Sequence, residues 1–279
     1  MPVIYSKRQI RGYMKEIKGV YTSAIIFTDD IEDYAAAQIK NICDNPIFKD
    51  SKIRIMPDVH PGKYCTVGTS MTIKDRVIPY LVGVDIGCGM TCVHLKNKNI
   101  ELQKLDAVIA KRVPSGMKIR GEAHRFAEEA ELDLLYCKKA MRKEKALLSL
   151  GTLGGGNHFI ELDRAEDGTY YLVIHSGSRH LGVETAEYYQ KAASLWCREH
   201  QEELPFSLAY VEGELFDQYL HDMEIVQKFA ALNRACIADE IIKGMKWKEL
   251  ERFDTVHNYI SNSKGTHMLR KGAVSAGKG

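Results

Sequence analysis

A carboxylate and a thiol lie three positions apart in a glycine-rich segment, at a spacing that suits a shared metal ion. Residues 84–89 read VDIGCG, and they follow an apolar run, residues 78–84, that predicts a buried strand. Asp85 and Cys88 can ligate one metal ion or straddle two, and the glycines let the backbone approach a ligand closely. A thiolate favours Zn, Fe or Mn with mixed ligands. By itself the segment is equally typical of a strand-end aspartate and a core cysteine.

Three further segments place histidines beside glycine, asparagine or serine. Residues 154–161 read GGGNHFIE, residues 174–182 read IHSGSRHLG, and His257 precedes Asn258 after a polar stretch. The first segment offers backbone N–H groups to an anion such as phosphate, but it has neither the P-loop lysine nor the dinucleotide fingerprint. A lone histidine beside glycines is just as often a turn residue.

Taken together, these side chains favour a metal-dependent enzyme that acts on phosphates. His158, His175 and His257 join Asp85 and Cys88 as ligands for two metal ions if the thiolate bridges them. Two close metal ions suit phosphoryl transfer, because they stabilise the attacking and the leaving oxygen.

The composition is that of an ordinary globular protein. The 279 residues include 39 Lys and Arg against 37 Asp and Glu, a net charge of +2, and 45% hydrophobic residues. These proportions exclude a disordered chain. No apolar run approaches the roughly 18–20 residues of a membrane span, and the N-terminus lacks a signal peptide, so we expect a cytoplasmic protein. The 7 scattered cysteines are then expected to be reduced thiols.

Strand-like and helical regions are grouped rather than alternating, which favours an α+β fold. A chain of residues 1–279 is long enough for one large domain or two small ones. Short strands with tight turns are predicted within residues 53–95, and a buried strand over residues 170–175. Helices are predicted over residues 31–43, 123–148, 184–199 and 213–243, the first capped by Thr28 or Asp29.

At these segments the sequence resembles the RtcB family, the GTP-dependent RNA ligases of tRNA splicing and RNA repair. The resemblance runs over about residues 50–279, in family order, at Met56–Gly68, Val82–Met90, Gly151–Leu162, Ile174–Gly182, His257–Ile260 and Arg270–Gly279. It implies a large single α+β domain built around a metal centre.

The resemblance also implies a two-manganese site. Asp85, Cys88 and His158 would hold one Mn²⁺, while Cys88, His175 and His257 would hold the other, with the thiolate bridging. Guanylate-binding residues implied in the same way are Asn157, His158, Phe159, Ile160, Glu161, His257 and Asn258.

The implied reaction transfers GMP from GTP to a histidine and then to an RNA 3′-phosphate, which a 5′-hydroxyl attacks. A 2′,3′-cyclic phosphate end is first opened by hydrolysis. Candidate phosphate and RNA contacts are Arg179, Arg270 and Lys271. The physiological RNA, such as tRNA halves or damaged RNA, is open, and a helper such as archease is implied by the family alone.

The sequence departs from the family in lacking the HGAGR motif that carries the guanylylated histidine. The printed chain is therefore expected not to guanylylate itself. Two explanations are a fragment of a longer ligase, which we favour, and a naturally short homologue. Alternatives in other classes are a metal-dependent phosphohydrolase or cyclic phosphodiesterase, a non-catalytic guanylate- or RNA-binding module, and a protein with a structural zinc.

Overall fold

The computed structural model describes residues 5–6, 14–96, 99–263 and 265–275. Its α-helices are α1 (Asp33–Cys43), α2 (Pro79–Val82), α3 (Leu102–Arg112), α4 (Lys143–Ser149), α5 (Arg179–Glu199) and α6 (Gly213–Met245). Its strands are β1 (Tyr5–Ser6), β2 (Lys15–Lys18), β3 (Ser23–Ile26), β4 (Ile53–His60), β5 (Val67–Ile73), β6 (Arg76–Val77), β7 (Gly89–Leu95), β8 (Phe159–Arg164), β9 (Tyr170–Ser176), β10 (Val211–Glu212), β11 (Glu249–Val256), β12 (Asn258–Ser263) and β13 (Thr266–Lys271).

The chain divides into two compact units. The first unit comprises Met1–Val84, Ala186–Leu220 and His257–Gly279, and the second comprises Asp85–Thr185 and His221–Val256. The mixture of sheets and helices confirms the α+β class. The prediction of a single large domain remains a prediction.

A seven-stranded sheet organises the first unit. Its strand order is β1-β2-β3-β4-β5-β13-β12, with β3 and β4 parallel and the other neighbours antiparallel. Ile17, Ile26, Ile53 and Met71 are fully buried in it. Helix α1 packs against β2 and β3 through its apolar face.

The second unit is built on a four-stranded antiparallel sheet with the order β11-β7-β9-β8. Strand β7 alternates buried and half-buried residues, the period of a sheet with one face on the core. Val93 and Ile174 pack there with Ile237 and Ile241 of α6. The rigid sheet and the long helix together form the frame to which the loops of this unit attach.

Several elements differ from the sequence predictions. Residues 78–84 form no strand, because Pro79 occupies the first turn of the short helix α2. The segment predicted as a helix over residues 123–148 instead contains three short 3₁₀ turns, with α-helix at Lys143–Ser149 only. Here buried Asp222 accepts hydrogen bonds from the Tyr136 and Cys137 amides and fixes a turn.

Other predicted helices and strands are confirmed, with small corrections to where they begin or end. Strand β9 and helices α5 and α6 lie where they were predicted, and α5 begins earlier, at Arg179. Neither Thr28 nor Asp29 caps α1, since Glu32 occupies the N-cap position without a side-chain cap. None of the 7 cysteines forms a disulfide, and no described helix is both long enough and apolar enough to cross a bilayer.

Two consecutive buried polar residues of α6 hold the loops at one end of the second unit's sheet. Asn233 is fully buried, and its Oδ1 accepts hydrogen bonds from the backbone amides of Gly151 (2.8 Å) and Thr152 (3.2 Å). Its Nδ2 donates to the carbonyl oxygens of Thr152 and Gly177, both at 3.1 Å. The helix thereby satisfies backbone groups that burial would otherwise leave unpaired.

Arg234 completes the same network with a fully buried guanidinium. Its Nε and Nη2 donate to the two carboxylate oxygens of Asp254 at 2.7 and 2.6 Å. Its Nη1 donates to the carbonyl oxygens of Gly87 and Ser176, both at 2.9 Å. Such a bidentate pair is strong and directional, and it ties β11, the end of β9 and the loop before β7 to one side chain.

The Arg234→Ala variant is expected to destabilise the protein by about 3 kcal/mol or more. It removes the guanidinium that donates to two carbonyl oxygens and to both oxygens of the Asp254 carboxylate, which keeps, among the described residues, only the hydrogen bond from Thr91 Oγ1. The matched control is Arg125→Ala, which removes a half-exposed pair with Asp239 and should cost less than about 1 kcal/mol. Urea unfolding of both variants measures the difference. Equal losses would show that the buried network is not what stabilises this unit.

Candidate metal centre

The candidate ligands of the second unit lie at one end of its sheet because of strand register. Cys88 directly precedes β7, His158 directly precedes β8, and His175 is the penultimate residue of β9. Gly89 pairs with Ser176, and Phe159 pairs with His175. In an antiparallel sheet, the start of one strand meets the end of its neighbour. The pairing therefore brings together residues that lie 70 and 87 positions apart in the sequence.

The Cys88 thiol lies between two imidazoles. Its Sγ is 3.3 Å from Nε2 of His175 and 3.5 Å from Nε2 of His158. The centroids of the two imidazole rings are 5.4 Å apart, in an edge-to-face arrangement. Cys88 and His175 are buried and His158 is half-buried, so the three potential ligand atoms face one another largely away from solvent.

Backbone carbonyls fix the tautomer of both histidines. Nδ1 of His158 lies 2.9 Å from the carbonyl oxygen of Leu153, and Nδ1 of His175 lies 2.9 Å from that of Asn157. A carbonyl oxygen can only accept a hydrogen bond, so Nδ1 carries the proton in both rings. Burial lowers the pKa of each histidine. Both rings are therefore neutral at neutral pH, with the Nε2 lone pair directed at the thiol.

This donor set fits a metal ion. A metal-bound histidine commonly donates its other ring N–H to a backbone carbonyl, which fixes the orientation of the ring, and His158 and His175 already do so. One thiolate and two neutral imidazoles suit a borderline-soft divalent cation such as Zn²⁺ or Fe²⁺, and an additional carboxylate ligand would make the site suit the harder Mn²⁺ as well.

Asp85 lies at the same end of the unit, in the turn before Cys88. Its carbonyl oxygen accepts a hydrogen bond from the Cys88 amide at 3.1 Å. Its carboxylate is close enough to oppose, by its negative charge, the lowering of the histidine pKa values. Asp85 also lines a cleft of about 420 Å³ together with Gly155, His158, Arg179 and His180.

Arg179 supplies the positive charge of this cleft. It begins α5 with a left-handed φ of 56°, a strained conformation for a residue with a side chain. Its Nε donates to Thr152 Oγ1 at 3.0 Å, and its Nη2 donates to the carbonyl oxygen of Gly116 at 2.9 Å. Its Nη1 lies where a Cβ of residue 154 would be, which explains the glycine at Gly154. The fixed guanidinium suits an anion in the cleft.

The guanylate-binding candidates around β8 divide between the two faces of the sheet. The Phe159 ring contacts the His175 ring at 5.2 Å, whereas Glu161 and Asn157 are exposed. Ile160 packs against the core, so any ligand contact by Ile160 would come from its backbone. Their role in binding guanylate remains a prediction.

The other sequence candidates belong to the first unit. His257 precedes β12 and accepts a hydrogen bond from the Ala273 amide through its carbonyl oxygen, at 3.2 Å. Asn258 Oδ1 accepts from the Gly272 amide at 2.9 Å. Arg270 and Lys271 lie on β13. The Arg270 guanidinium stacks over Tyr259 and donates to Ser261 Oγ at 2.8 Å.

The residue before His257 belongs to a paired strand of the second unit. This residue, Val256, ends β11 and pairs with Gly89, the residue after Cys88. The assignment of His257 as a metal ligand, and those of Asn258, Arg270 and Lys271 as ligand contacts, remain predictions.

A second group of potential ligands in this unit is better explained as an ion-pair network. Ligand atoms of His124, Asp239 and Glu240 lie within 4.8 Å of one another. Arg125 pairs with Asp239 at 2.6 Å and Arg112 pairs with Glu240 at 3.0 Å. These guanidinium groups neutralise the carboxylates that a cation would need.

Sequence reasoning missed Asn233 and Arg234, which hold the loops of the site. The signal was present as two adjacent polar residues in the otherwise apolar stretch Ala230–Ile237 of a long helix. A buried amide and a buried guanidinium at such positions require partners, and here the partners are the loops that carry the ligands.

Comparison with known proteins identifies the family. The sequence matches the profile described as tRNA-splicing ligase RtcB over residues 38–142 and 136–279. It is 34% identical to the RNA-splicing ligase RtcB of Escherichia coli strain K12 over 289 aligned residues, covering 89% of this chain and 70% of that protein. It is 26% identical to the tRNA-splicing ligase RtcB of Archaeoglobus fulgidus, covering 82% of this chain and 60% of that protein. With this extent of similarity, the chain belongs to the RtcB family of RNA ligases.

Proposed function

We propose that this protein joins an RNA 3′-phosphate or 2′,3′-cyclic phosphate end to a 5′-hydroxyl end, using GTP and Mn²⁺. Membership of the RtcB family supports RNA ligation. The observation that carries the metal dependence is the Cys88 thiol facing two neutral imidazole Nε2 atoms whose Nδ1 protons are held by carbonyls.

Asp85, Cys88, His158 and His175 would hold metal in the second unit, and His257 completes the proposed ligand set. The bound cations would neutralise phosphate charge and stabilise the developing oxyanions. Histidine binds a metal ion in its neutral form and cysteine binds it as the thiolate. Protonation of either group competes with the metal, so metal affinity should rise with pH.

The remaining residues of the cleft would hold the phosphate to be activated. Arg179 is fixed by Thr152 and Gly116, so its guanidinium would bind an anion in the cleft at little entropic cost. The glycines at residues 154–156 let the ligand approach the backbone. The 5′-hydroxyl then attacks the activated RNA phosphorus, the new phosphodiester forms, and GMP leaves with the electrons of the broken P–O bond.

The histidine that carries GMP in the family belongs to an HGAGR motif, which residues 1–279 do not contain. Intact-mass measurement after incubation with GTP and Mn²⁺ is therefore expected to show no covalent GMP on this polypeptide. A mass gain of one guanylate would mean that a histidine outside that motif is the nucleophile.

The joining step can be tested separately with RNA whose 3′ end already carries a pyrophosphate-linked guanosine. With Mn²⁺ and a 5′-hydroxyl RNA, we expect the protein to form the RNA–RNA bond and release GMP without GTP. Gel analysis of labelled RNA follows the product. Release of GMP with no joined RNA would favour the hydrolase alternative, and an unchanged substrate would contradict the proposal for this polypeptide.

Cys88→Ala is expected to abolish metal binding at both proposed sites and to reduce joining at least about 100-fold, because the shared ligand is lost. Metal content and the thiolate-to-cobalt charge-transfer band of the Co²⁺-substituted protein give readouts independent of activity. Cys92→Ala, which removes a thiol four residues further along on β7, is the control and should retain both. Full metal occupancy in Cys88→Ala would disprove the bridging role.

A further inference from the structure

A basic segment continues the cationic lining of the cleft. Residues 138–145 read KKAMRKEK and contain five lysines and arginines against one glutamate. The net charge of +2 for the whole chain conceals this concentration. We name these residues the basic segment.

Contacts with the second turn of α5 place the basic segment beside the cleft. The Arg142 amide donates to Glu184 Oε2 at 3.0 Å, and its Nε lies 2.5 Å from Oε1 of the same residue. Glu184 follows Val183, which lines the cleft, and lies one helical turn after His180, which also lines it. Residues four apart share one face of a helix, so Arg142 is anchored next to the cleft mouth.

Positive charges of the basic segment act on His180, which lines the cleft. Burial lowers the pKa of His180, and the positive charges of Lys145, Arg179 and Arg142 lower it further. Within the described part of the chain, no carboxylate forms an ion pair with Lys139 or Lys145. These two ammonium groups are therefore available to an external anion.

Acidic residues precede the basic segment in the sequence. Glu128, Glu129, Glu131 and Asp133 are exposed just before the basic segment in sequence, and Asp133 accepts the Lys143 ammonium at 2.6 Å. Repeated phosphates would be repelled there and attracted to Lys139 and Lys145, because the Arg142 guanidinium between them in sequence is paired with Glu184.

We propose that the basic segment binds the phosphates of single-stranded RNA next to its reacting end, with Lys139 and Lys145 as the principal contacts. This inference rests on the proposed ligase function, since the reacting phosphate is placed at Arg179. It assigns an RNA path to a surface that the metal and guanylate residues do not include. Contacts of this kind act through counterion release and carry no sequence preference.

The test compares the binding of a short single-stranded RNA with a 3′-phosphate, measured by fluorescence anisotropy at several salt concentrations. The double variant Lys139→Glu/Lys145→Glu is expected to bind at least about tenfold more weakly at low salt. The slope of log Kd against log salt should fall by about 1.4, because each single-strand phosphate contact contributes about 0.7. Metal content should not change, since neither lysine belongs to the metal centre.

The matched control is Lys104→Glu/Lys111→Glu, which makes the same charge change on exposed residues of α3 in the same unit. It should retain both the affinity and the slope. Thermal unfolding checks that each variant is folded, and Lys139→Gln/Lys145→Gln provides a milder version with a smaller loss in the same direction.

Each outcome decides a different claim. If the double variant and the control bind RNA as the unaltered protein does, the basic segment is not the RNA path, while the joining of preactivated RNA would still support the ligase. If the unaltered protein shows no salt-dependent RNA binding and no joining, both the surface and the proposed function are overturned.

Discussion

The buried guanidinium of Arg234 is the interaction on which the second unit depends. A fully buried positive charge is tolerated only when every donor finds an acceptor, and here the acceptors are the Asp254 carboxylate and the carbonyl oxygens of Gly87 and Ser176. Asn233 beside it holds Gly151 and Gly177 in the same way. One turn of α6 therefore determines where the three ligand-bearing loops lie, and a site built on it is rigid before any ligand arrives.

The register of the strands then brings the candidate ligand side chains together. Because β7, β8 and β9 are antiparallel neighbours, Cys88, His158 and His175 meet at one sheet end despite their separation in sequence. The carbonyls of Leu153 and Asn157 accept the two Nδ1 protons and leave both Nε2 lone pairs facing the thiol. The two histidines are thus held in their neutral, metal-binding form, which lowers the reorganisation that metal binding requires.

The segments that form the candidate site were predictable from the sequence, and the wrong predictions of secondary structure have physical causes. The spacing of Asp85 and Cys88 and the glycine-rich histidine segments marked the site, because ligand types beside flexible backbone are chemically informative. Residues 78–84 read as a strand from their apolarity, but Pro79 starts a helix there. The predicted helix over residues 123–148 was overridden by the buried carboxylate of Asp222, a tertiary contact that local patterns do not contain. Asn233 and Arg234 were missed because their partners lie far away in the sequence.

The central claim is that Cys88, held by this scaffold, binds the metal ion through its sulfur. X-ray absorption at the metal edge of the Co²⁺-loaded protein tests this most directly, since sulfur and nitrogen or oxygen neighbours scatter differently. The account predicts a sulfur neighbour at about 2.3 Å, the usual length of a metal–thiolate bond in such sites, together with nitrogen from imidazole. A first shell of oxygen and nitrogen alone would contradict it, because the thiol between His158 and His175 would then not be a ligand.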